Sequence, residues 1–166
     1  MATKSLLSEE EYLRTSFENP DREYRDGELV ERSMPAFKHA RTQNRLAARF
    51  ESVASKLPVH PCVEVRMRLR SGRYLISDVA VFLGAEPPDV PDTPPLIAIE
   101  ILSADDRMAE VLEKLREYLG WGVPHIWVVC PKNREMYVYN GGLARVESLK
   151  VPELDFELQP ADVFGE

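Results

Sequence analysis

The stretch PPLIAIEILS, residues 94–103, sets one acid, Glu100, among strongly apolar neighbours. Its apolar and polar positions do not alternate, and prolines and a serine bound the run. This pattern is typical of a β-strand that is covered on both faces. A carboxylate in such a strand costs several kcal/mol or stays protonated unless a cation, a metal or hydrogen-bond donors compensate it. We therefore expect Glu100 to have a partner, and the partner to indicate the function.

Length and composition indicate one globular domain in a chain of 166 residues that is 44% hydrophobic and 30% charged. The longest apolar runs are too short to span a bilayer, and the N-terminus lacks the apolar core of a signal peptide. Cys62 and Cys130 alone make no disulfide or zinc framework. We expect a soluble protein of the reducing cytoplasm, with no membrane partner.

The net charge of −7, from 21 basic and 28 acidic residues, argues against a general nucleic-acid coat. Any nucleic-acid contact must therefore be local. Arginines recur every four residues in one predicted helix and alternate along one predicted strand. These two groups are Arg41, Arg45 and Arg49, and Arg66, Arg68 and Arg70. Each group is either a solvated face or a surface that holds a nucleic-acid backbone.

Local signals divide the first half of the chain into short elements. Ser8, followed by three glutamates, predicts an N-capped helix to about Phe17. The Asp26-Gly27 pair in REYRDGELVERS predicts a hairpin. A long helix follows over about 36–57, and its predicted core positions are Leu46, Phe50, Val53 and Leu57.

The second half alternates strands and one helix. We expect paired strands over about 61–70 and 73–83, a proline-rich loop over 84–95, and then the strand that contains Glu100. Ser103 is predicted to cap a helix that ends at Gly120 or Gly122. The predicted core positions of this helix are Met108, Val111, Leu112, Leu115 and Leu119. HIWVVC and MYVYN then predict an antiparallel pair, and the strand, helix, strand order over 96–130 predicts a parallel pair, so the sheet is mixed. Trp121 and Trp127 are expected in the core.

A second acid, Asp78, lies in a similarly apolar stretch, RYLISDVAVFL. If the two strands are neighbours and the acids share a face, repulsion makes both carboxylates hard to ionise without a cation between them. Oxygen ligands alone favour Mg²⁺ or Mn²⁺ over zinc. Lys114, at the margin of the next helix's apolar stripe, can extend its amine over the same pocket. Two acids, a metal and a lysine form an arrangement suited to phosphodiester hydrolysis.

Each of these residues also has a purely structural interpretation. Asp78 can cap a hairpin or pair with an arginine such as Arg66 or Arg68. Glu100 can form a structural ion pair with Lys114. Lys114 can instead be a solvated helix lysine, because Glu110 precedes it by four residues. Both interpretations stay open at this point.

Several stretches in order resemble the Uma-two family of restriction-endonuclease-like proteins, within the PD-(D/E)XK nuclease superfamily. They are DREYRDGELVE, SDVAVFLG, PPLIAIEILS, EKLREYLGWGVPHIWVVCP and MYVY, which extend from about residue 20 to 140. The resemblance implies an α/β fold with a restriction-endonuclease-like core, a mixed β-sheet flanked by helices. It divides the single domain, 1–166, into an N-terminal helix and hairpin (1–34), a core (35–140) and C-terminal strands (141–166).

The resemblance also implies a metal site. Magnesium would be held by Asp78, Glu100 and the backbone carbonyl of Ile101, with Lys114 as the catalytic lysine. The superfamily's usual lysine, two residues after the glutamate, is replaced by Leu102, and Ser77 stands where the superfamily name has proline. Four further residues are accessory candidates: Glu28 and His39, at positions that match the family, and Glu64 and Tyr118. Tyr118 is expected to orient Lys114. Each of the other three can instead be an ordinary surface residue.

The favoured hypothesis is a Mg²⁺- or Mn²⁺-dependent nuclease that cuts DNA by metal-activated water. The rival hypothesis is a catalytically inactive binding domain of the same fold, suggested by the negative charge and by Leu102. A metal phosphohydrolase acting on small nucleotides is a weaker rival, suggested by the scarcity of basic surface. Analogy with restriction-like nucleases, many of which pair to cut both strands, allows a homodimer.

Overall fold

A computed structural model of the chain describes residues 6–17 and 21–166. Residues 1–5 and 18–20, which belong to the predicted N-terminal region 1–34, lie outside the described residues. In the part of the chain that is described, no helix is long and apolar enough to cross a membrane.

The described residues form four α-helices and ten β-strands. The helices are α1 (Glu9–Arg14), α2 (Phe37–Ala54), α3 (Met108–Trp121) and α4 (Pro160–Phe164). The strands of the first half are β1 (Arg22–Arg25), β2 (Glu28–Glu31), β3 (Val59–Arg70), β4 (Arg73–Leu83) and β5 (Ile97–Ile101). The later strands are β6 (His125–Cys130), β7 (Glu135–Tyr139), β8 (Leu143–Val146), β9 (Leu149–Val151) and β10 (Phe156–Leu158).

Eight strands form one mixed sheet, as the sequence predicts. Seven of them follow the order β2-β1-β4-β5-β6-β7-β8, and β3 pairs with β4 off this path. β5 and β6 are parallel, with α3 between them in sequence, and the other pairs are antiparallel. β9 and β10 form a separate two-stranded sheet. β4 and β5 lie inside the sheet, which is why both are buried on the two faces.

Helices cover both faces of the sheet. Leu46 and Phe50 of α2 pack on one face, against a cluster that includes Ile99 and Trp127, and we call this the α2 face. Leu115 and Tyr118 of α3 pack on the other, which we call the α3 face. Trp121 is partly buried in the α3-face cluster. Alternate residues of β4 and β5 therefore point to different helices.

The N-terminal segment packs against the β1–β2 hairpin. Ser8 and Glu11 form the predicted capping box of α1. Tyr12, fully buried, stacks on Tyr24 at a ring-centroid distance of 5.0 Å and donates a hydrogen bond to the carbonyl of Arg22. Tyr24 donates a hydrogen bond to the carbonyl of Leu7. These contacts join α1 to the hairpin, whose Asp26-Gly27 turn is confirmed.

Some element limits differ from the sequence prediction. α1 ends at Arg14 rather than near Phe17, because Thr15 is extended and its hydroxyl donates to the carbonyl of Glu11. Ser103 does not cap α3. That helix begins five residues later, after Arg107, and the backbone N–H of Ser103 donates to Asp106. The C-terminal region 141–166 contains α4 as well as strands.

Two predicted core stripes are also partly wrong. Met108 and Leu119 are 43% and 38% exposed, whereas Tyr118 is fully buried. The buried face of α3 is therefore centred on Leu115 and Tyr118. Leu57 lies beyond the end of α2 and is 37% exposed.

Candidate active site

Asp78 and Glu100 lie on the same face of two neighbouring strands. The antiparallel register of β4 and β5 pairs Val79 with Ile99, so Asp78 and Glu100 occupy the next cross-strand position. Their neighbours Ala80 and Ala98 belong to the α3-face cluster. The two acids are only 4% and 9% exposed, and both line one cavity of about 290 Å³.

An arginine, a histidine and one backbone N–H surround the Asp78 carboxylate. Arg32, just after β2, donates to Oδ1 at 2.7 Å, and Nε2 of His39 lies 3.4 Å from the same oxygen. The N–H of Ile101 donates to Oδ2 at 2.7 Å. Burial raises the pKa of Asp78, but the hydrogen bond from His39 and the charge of Arg32 outweigh it and hold the pKa below its ordinary value.

The arginine beside Asp78 is therefore Arg32, and neither Arg66 nor Arg68 takes that place. Arg66 donates to the carbonyl of Tyr12 and lies over its ring, and Arg68 pairs with Glu9. The backbone N–H of Ile101 donates to the Asp78 carboxylate, whereas the family resemblance implies that the carbonyl of Ile101 binds the metal. Ile101 also lines the cavity.

Glu100 receives hydrogen bonds from two residues of α3. Nζ of Lys114 lies 3.1 Å from Oε2, and the hydroxyl of Tyr118 donates to Oε1 at 2.8 Å. Burial raises the pKa of Glu100 to about 7; Lys114 opposes this rise and the charge of Asp78 adds to it. The carboxyl is thus close to half-protonated at neutral pH. Tyr118, expected to orient Lys114, instead contacts the acid directly.

Lys114 links three strands of the sheet through its amine. Besides Glu100, the amine contacts Glu23 of β1 at 2.7 Å and donates to the carbonyl of Ile76 in β4 at 2.6 Å. Burial lowers the pKa of Lys114, but the carboxylates of Glu100 and Glu23 more than offset this, so the pKa lies above its ordinary value. Lys114 is therefore a buried cation at neutral pH, and the solvated-lysine interpretation is wrong.

Glu23 is a site residue that sequence reasoning missed. It is 5% exposed, lines the cavity, and also accepts a hydrogen bond from the N–H of Ile76. The short strand REYR has the charge pattern of a strand on the protein surface. Only the pairing of Tyr24 with Tyr74, which joins β1 to β4, shows that Glu23 is buried at the site. Glu28, the acid selected from the same hairpin, is exposed at the start of β2 and is not among the cavity-lining residues.

His39 lies in the site rather than on the surface. The side chain, in the first turn of α2, is buried, and its Nδ1 has no hydrogen-bond partner among the described residues. Burial lowers the pKa of His39, and its hydrogen bond to Asp78 raises it by more. A buried ring nitrogen without a partner is a position where a ligand or water can bind. His39 and Arg32 contact Oδ1 of Asp78, and the N–H of Ile101 contacts Oδ2.

Glu64 is outside the cavity but connected to it through one residue. It is exposed on β3, with a positive φ of 51°, which is rare for a residue with a side chain. Gln43 of α2 lies 3.5 Å from the Glu64 carboxylate and donates to the backbone carbonyl of Asp78 at 2.9 Å. Glu64 thus lies near the backbone of Asp78, and its side chain does not join the two acids.

Most of the arginines proposed for nucleic-acid binding contact the protein itself. Arg45 donates to the carbonyl of Phe164, and Arg49 pairs with Asp162. Arg70 pairs with Asp26, while Arg66 and Arg68 contact α1 as described above. Of these six arginines, Arg41 alone has no ion pair or hydrogen bond with the described residues.

The donor set of the cavity suits a hard cation that keeps water ligands. No three His, Cys, Asp or Glu residues are grouped as a metal site within residues 6–17 and 21–166. Two carboxylates are nevertheless what Mg²⁺ usually takes from a protein, with water completing its coordination. Asp78 and Glu100 fit that role by chemistry and by facing one cavity. A cation there competes with Arg32, which now neutralises Asp78.

Comparisons with known proteins agree with the fold. The family model described as "Uma2: Putative restriction endonuclease" matches residues 9–165. A solved structure, titled as a "putative nuclease belonging to DUF820" from Anabaena variabilis ATCC 29413, is similar with a TM-score of 0.81. It is 22% identical, and the match covers 95% of this chain and 97% of that one, which confirms the predicted fold class. No curated protein matches the chain.

Proposed function

Because the chain belongs to the family described as "Uma2: Putative restriction endonuclease", we propose that it hydrolyses phosphodiester bonds of DNA with the help of Mg²⁺ or Mn²⁺. One observation carries this proposal: the carboxylates of Asp78 and Glu100 face one cavity from neighbouring strands, with the amine of Lys114 at 3.1 Å from Glu100. Acids and a lysine so arranged suit metal-assisted hydrolysis.

Asp78 and Glu100 are the residues that would hold the cation. The bound ion would polarise the phosphate and activate a water molecule for attack. Arg32 would have to give up part of its contact with Asp78 to a bound cation, because both would compete for the same carboxylate. Arg32 also lines the cavity, so a guanidinium released from Asp78 would be placed to bind a phosphate oxygen.

Lys114 acts as a fixed positive charge rather than as a base. Its raised pKa keeps the amine protonated, so it donates hydrogen bonds and cannot accept a proton. Its N–H groups are donated to Glu23, Glu100 and the carbonyl of Ile76, so it stabilises negative charge that develops on the phosphate through a positive charge that is already oriented. Glu23 and the carbonyl of Ile76 provide that orientation, since they hold the amine at 2.7 and 2.6 Å.

Tyr118 and His39 are positioning residues in this proposal. The Tyr118 hydroxyl fixes one oxygen of Glu100 and leaves the other near Lys114. His39 contacts Asp78 through Nε2, while its buried Nδ1 has no hydrogen-bond partner among the described residues. Both residues keep the carboxylates in place before substrate arrives.

A catalytically inactive binding domain is the second candidate. It is favoured by the pairing of both acids within the protein, Asp78 with Arg32 and Glu100 with Lys114. These pairs compensate the buried charges without a metal, as a structural network does. In that case the protein keeps the fold and the cavity but does not cleave DNA.

Cleavage assays with Asp78→Ala test the proposal. Duplex DNA, single-stranded DNA and RNA are incubated with Mg²⁺ or Mn²⁺, and the products are resolved on gels. We expect the wild type to cut DNA and Asp78→Ala to lose about 100- to 1,000-fold in rate. Asp89→Ala is the matched control, because Asp89 is an exposed acid of the loop after β4.

Calorimetric titration with Mn²⁺ separates the two candidates. If the protein is a nuclease, we expect the wild type to bind Mn²⁺ and the Glu100→Gln variant to bind it far more weakly. An inactive domain binds no ion in either protein and loses no stability in Glu100→Gln. Absence of both ion binding and cleavage in the wild type would reject the nuclease.

A further inference from the structure

A second cavity, of about 290 Å³, lies beside the N-terminal half of α2 and carries strong positive charge. Its lining contains five basic residues and no acid among the described residues. They are Lys38, Arg41 and Arg45 of α2, and Lys132 and Arg134 after β6. Phe37 and Phe164 supply the aromatic part of the lining. We call this the basic cavity.

The five cations divide into two that hold the protein together and three that do not. Arg45 donates to the carbonyl of Phe164 at 3.1 Å, and Arg134 donates to the carbonyl of Gly165 at 2.6 Å. These bonds fix the segment after α4 as one wall. The remaining cations are exposed and have no ion-pair partner within the described part of the chain. They are Lys38, Arg41 and Lys132.

Neighbouring stretches of the chain connect the basic cavity to the candidate active site, although the two cavities share no lining residue among those described. His39, which contacts Asp78, and Lys38, which lines the basic cavity, are consecutive residues of α2. On the sheet side, the N–H of Leu102 donates to the carbonyl of Val129, so the chain leaving β5 runs next to the chain leaving β6. The first chain lines the active-site cavity and the second lines the basic cavity.

Phe37 adds a flat apolar surface at the rim. Its side chain is 79% exposed at the first position of α2, next to Lys38. An exposed aromatic ring beside unpaired cations is the combination that single-stranded nucleic acids bind, with a base on the ring and phosphates on the cations. An exposed ring buries little apolar surface, so the Phe37 side chain contributes little to the stability of the fold.

We propose that the basic cavity binds backbone phosphates of a nucleic-acid single strand while the neighbouring phosphodiester lies in the active-site cavity. Lys38, Arg41 and Lys132 bind the phosphates, and Phe37 stacks on one base. This inference rests on the proposed nuclease function and specifies how its substrate is held. It also specifies single-stranded character near the cut, because a base inside a duplex cannot stack on Phe37.

Binding of a fluorescein-labelled single-stranded oligonucleotide tests the cavity without catalysis. Anisotropy is measured with EDTA present, for the wild type and for Lys38→Glu/Lys132→Glu. We expect the double variant to bind at least about tenfold more weakly, and the slope of log Kd against log salt to fall by about 1.4 for two lost phosphate contacts. Lys56→Glu/Lys150→Glu makes the same charge change at exposed lysines elsewhere and is the control.

Phe37→Ala tests the stacking step separately. Loss of one stacked base is expected to weaken single-strand binding by about fivefold to a hundredfold and to leave the salt slope unchanged. Binding of a blunt duplex is expected to change little. Equal weakening for duplex and single strand would overturn the stacking assignment.

Hydrolysis of bis(p-nitrophenyl) phosphate shows whether an error lies in the assignment of the basic cavity or in the nuclease proposal. This small diester has no neighbouring phosphate, so Lys38→Glu/Lys132→Glu is expected to hydrolyse it at the wild-type rate while cutting oligonucleotides more slowly. If the wild type hydrolyses nothing but the double variant still loses strand binding, the cavity assignment stands and the nuclease proposal fails.

Two results would overturn the cavity assignment. One is equal weakening by the Lys56→Glu/Lys150→Glu control, which would show a non-specific charge effect. The other is a combination of two findings. Inorganic phosphate displaces the oligonucleotide at constant ionic strength, and the double variant keeps the salt slope of the wild type. That result would assign the cavity to an isolated anion rather than to a strand.

Discussion

Glu100 shows how the protein compensates an acid inside an apolar strand. Burial raises the pKa of Glu100 to about 7, because the charges of Lys114 and Arg32 only partly offset its cost. Asp78, with Arg32, His39 and a backbone N–H around it, has a lowered pKa. The two acids therefore differ in charge state although they share a cavity.

Removal of the Lys114 amine leaves two buried acids without their cation. We expect Lys114→Met to lower the free energy of unfolding by about 3–5 kcal/mol, since an uncompensated buried charge is costly. Adding Glu23→Gln to that variant is expected to recover part of the loss. Urea denaturation measures both, with the exposed Lys150→Met as the control. A loss below about 1 kcal/mol would contradict a buried ion-pair network.

The titration of Glu100 predicts a pH dependence of stability. Its pKa rises from 4.5 to about 7 on folding, so the protonated carboxyl favours the folded state. The contribution is fully present below pH 4.5 and is lost as the pH rises through 7. It amounts to on the order of 3 kcal/mol. Urea denaturation in EDTA at several pH values measures it, and Glu100→Gln is expected to lack this component.

Arg32 and a divalent cation are expected to compete for Asp78. Replacing Arg32 with Met removes the guanidinium that lies 2.7 Å from the carboxylate. We expect Mn²⁺ to bind about tenfold more tightly to Arg32→Met than to the wild type, because no positive charge has to be displaced. Calorimetric titration measures the change. Unchanged or weaker Mn²⁺ binding would place the ion away from Asp78.

Sequence reasoning located the residues whose surroundings are unusual along the chain. Asp78 and Glu100 stand out because each is the one acid in a mostly apolar strand, and Lys114 follows from helical spacing. Glu23 and Arg32 come from a hairpin that has many charges on both strands, so nothing local separates them from surface residues. Their roles depend on how β1 pairs with β4, which is a tertiary property.

At the scale of elements, α3 carries Lys114 and Tyr118 to the α3 face, and Leu115 anchors it there. We expect Leu115→Ala to cost about 2–5 kcal/mol, because the fully buried side chain leaves a cavity. Leu119→Ala, at a side chain that is 38% exposed, is expected to cost less than about 1 kcal/mol. Chemical denaturation compares the two. Equal losses would contradict the observed orientation of the helix.

Strand positions were predictable because their signals are local, whereas the start of α3 was not. The Asp26-Gly27 turn, the prolines of residues 84–95 and the unbroken apolar runs define strand ends from sequence. Ser103 is a good capping residue in isolation, but Asp106 bonds both the Ser103 N–H and the hydroxyl of Ser33. A contact with a segment seventy-three positions away in sequence therefore delays the helix.

At the scale of the molecule, the site depends on contacts far from it. Glu23 lies in the β1–β2 hairpin and Arg32 directly follows it, and the buried ring of Tyr12 in α1 packs against this hairpin. We expect Tyr12→Ala to destabilise the protein by about 3–5 kcal/mol. It should also weaken protection of the β1–β2 amides in hydrogen exchange more than that of β6. Uniform loss of protection would show that the hairpin is not a separately anchored unit.

The amine of Lys114 bonds groups that are contributed by residues 23, 76 and 100, so the four chemical groups of the cavity emerge in order during synthesis. A ribosome-bound chain that has exposed the hairpin, β4 and β5 presents acids but not their cation. The proposed site is therefore incomplete on the ribosome until Lys114 has left the exit tunnel.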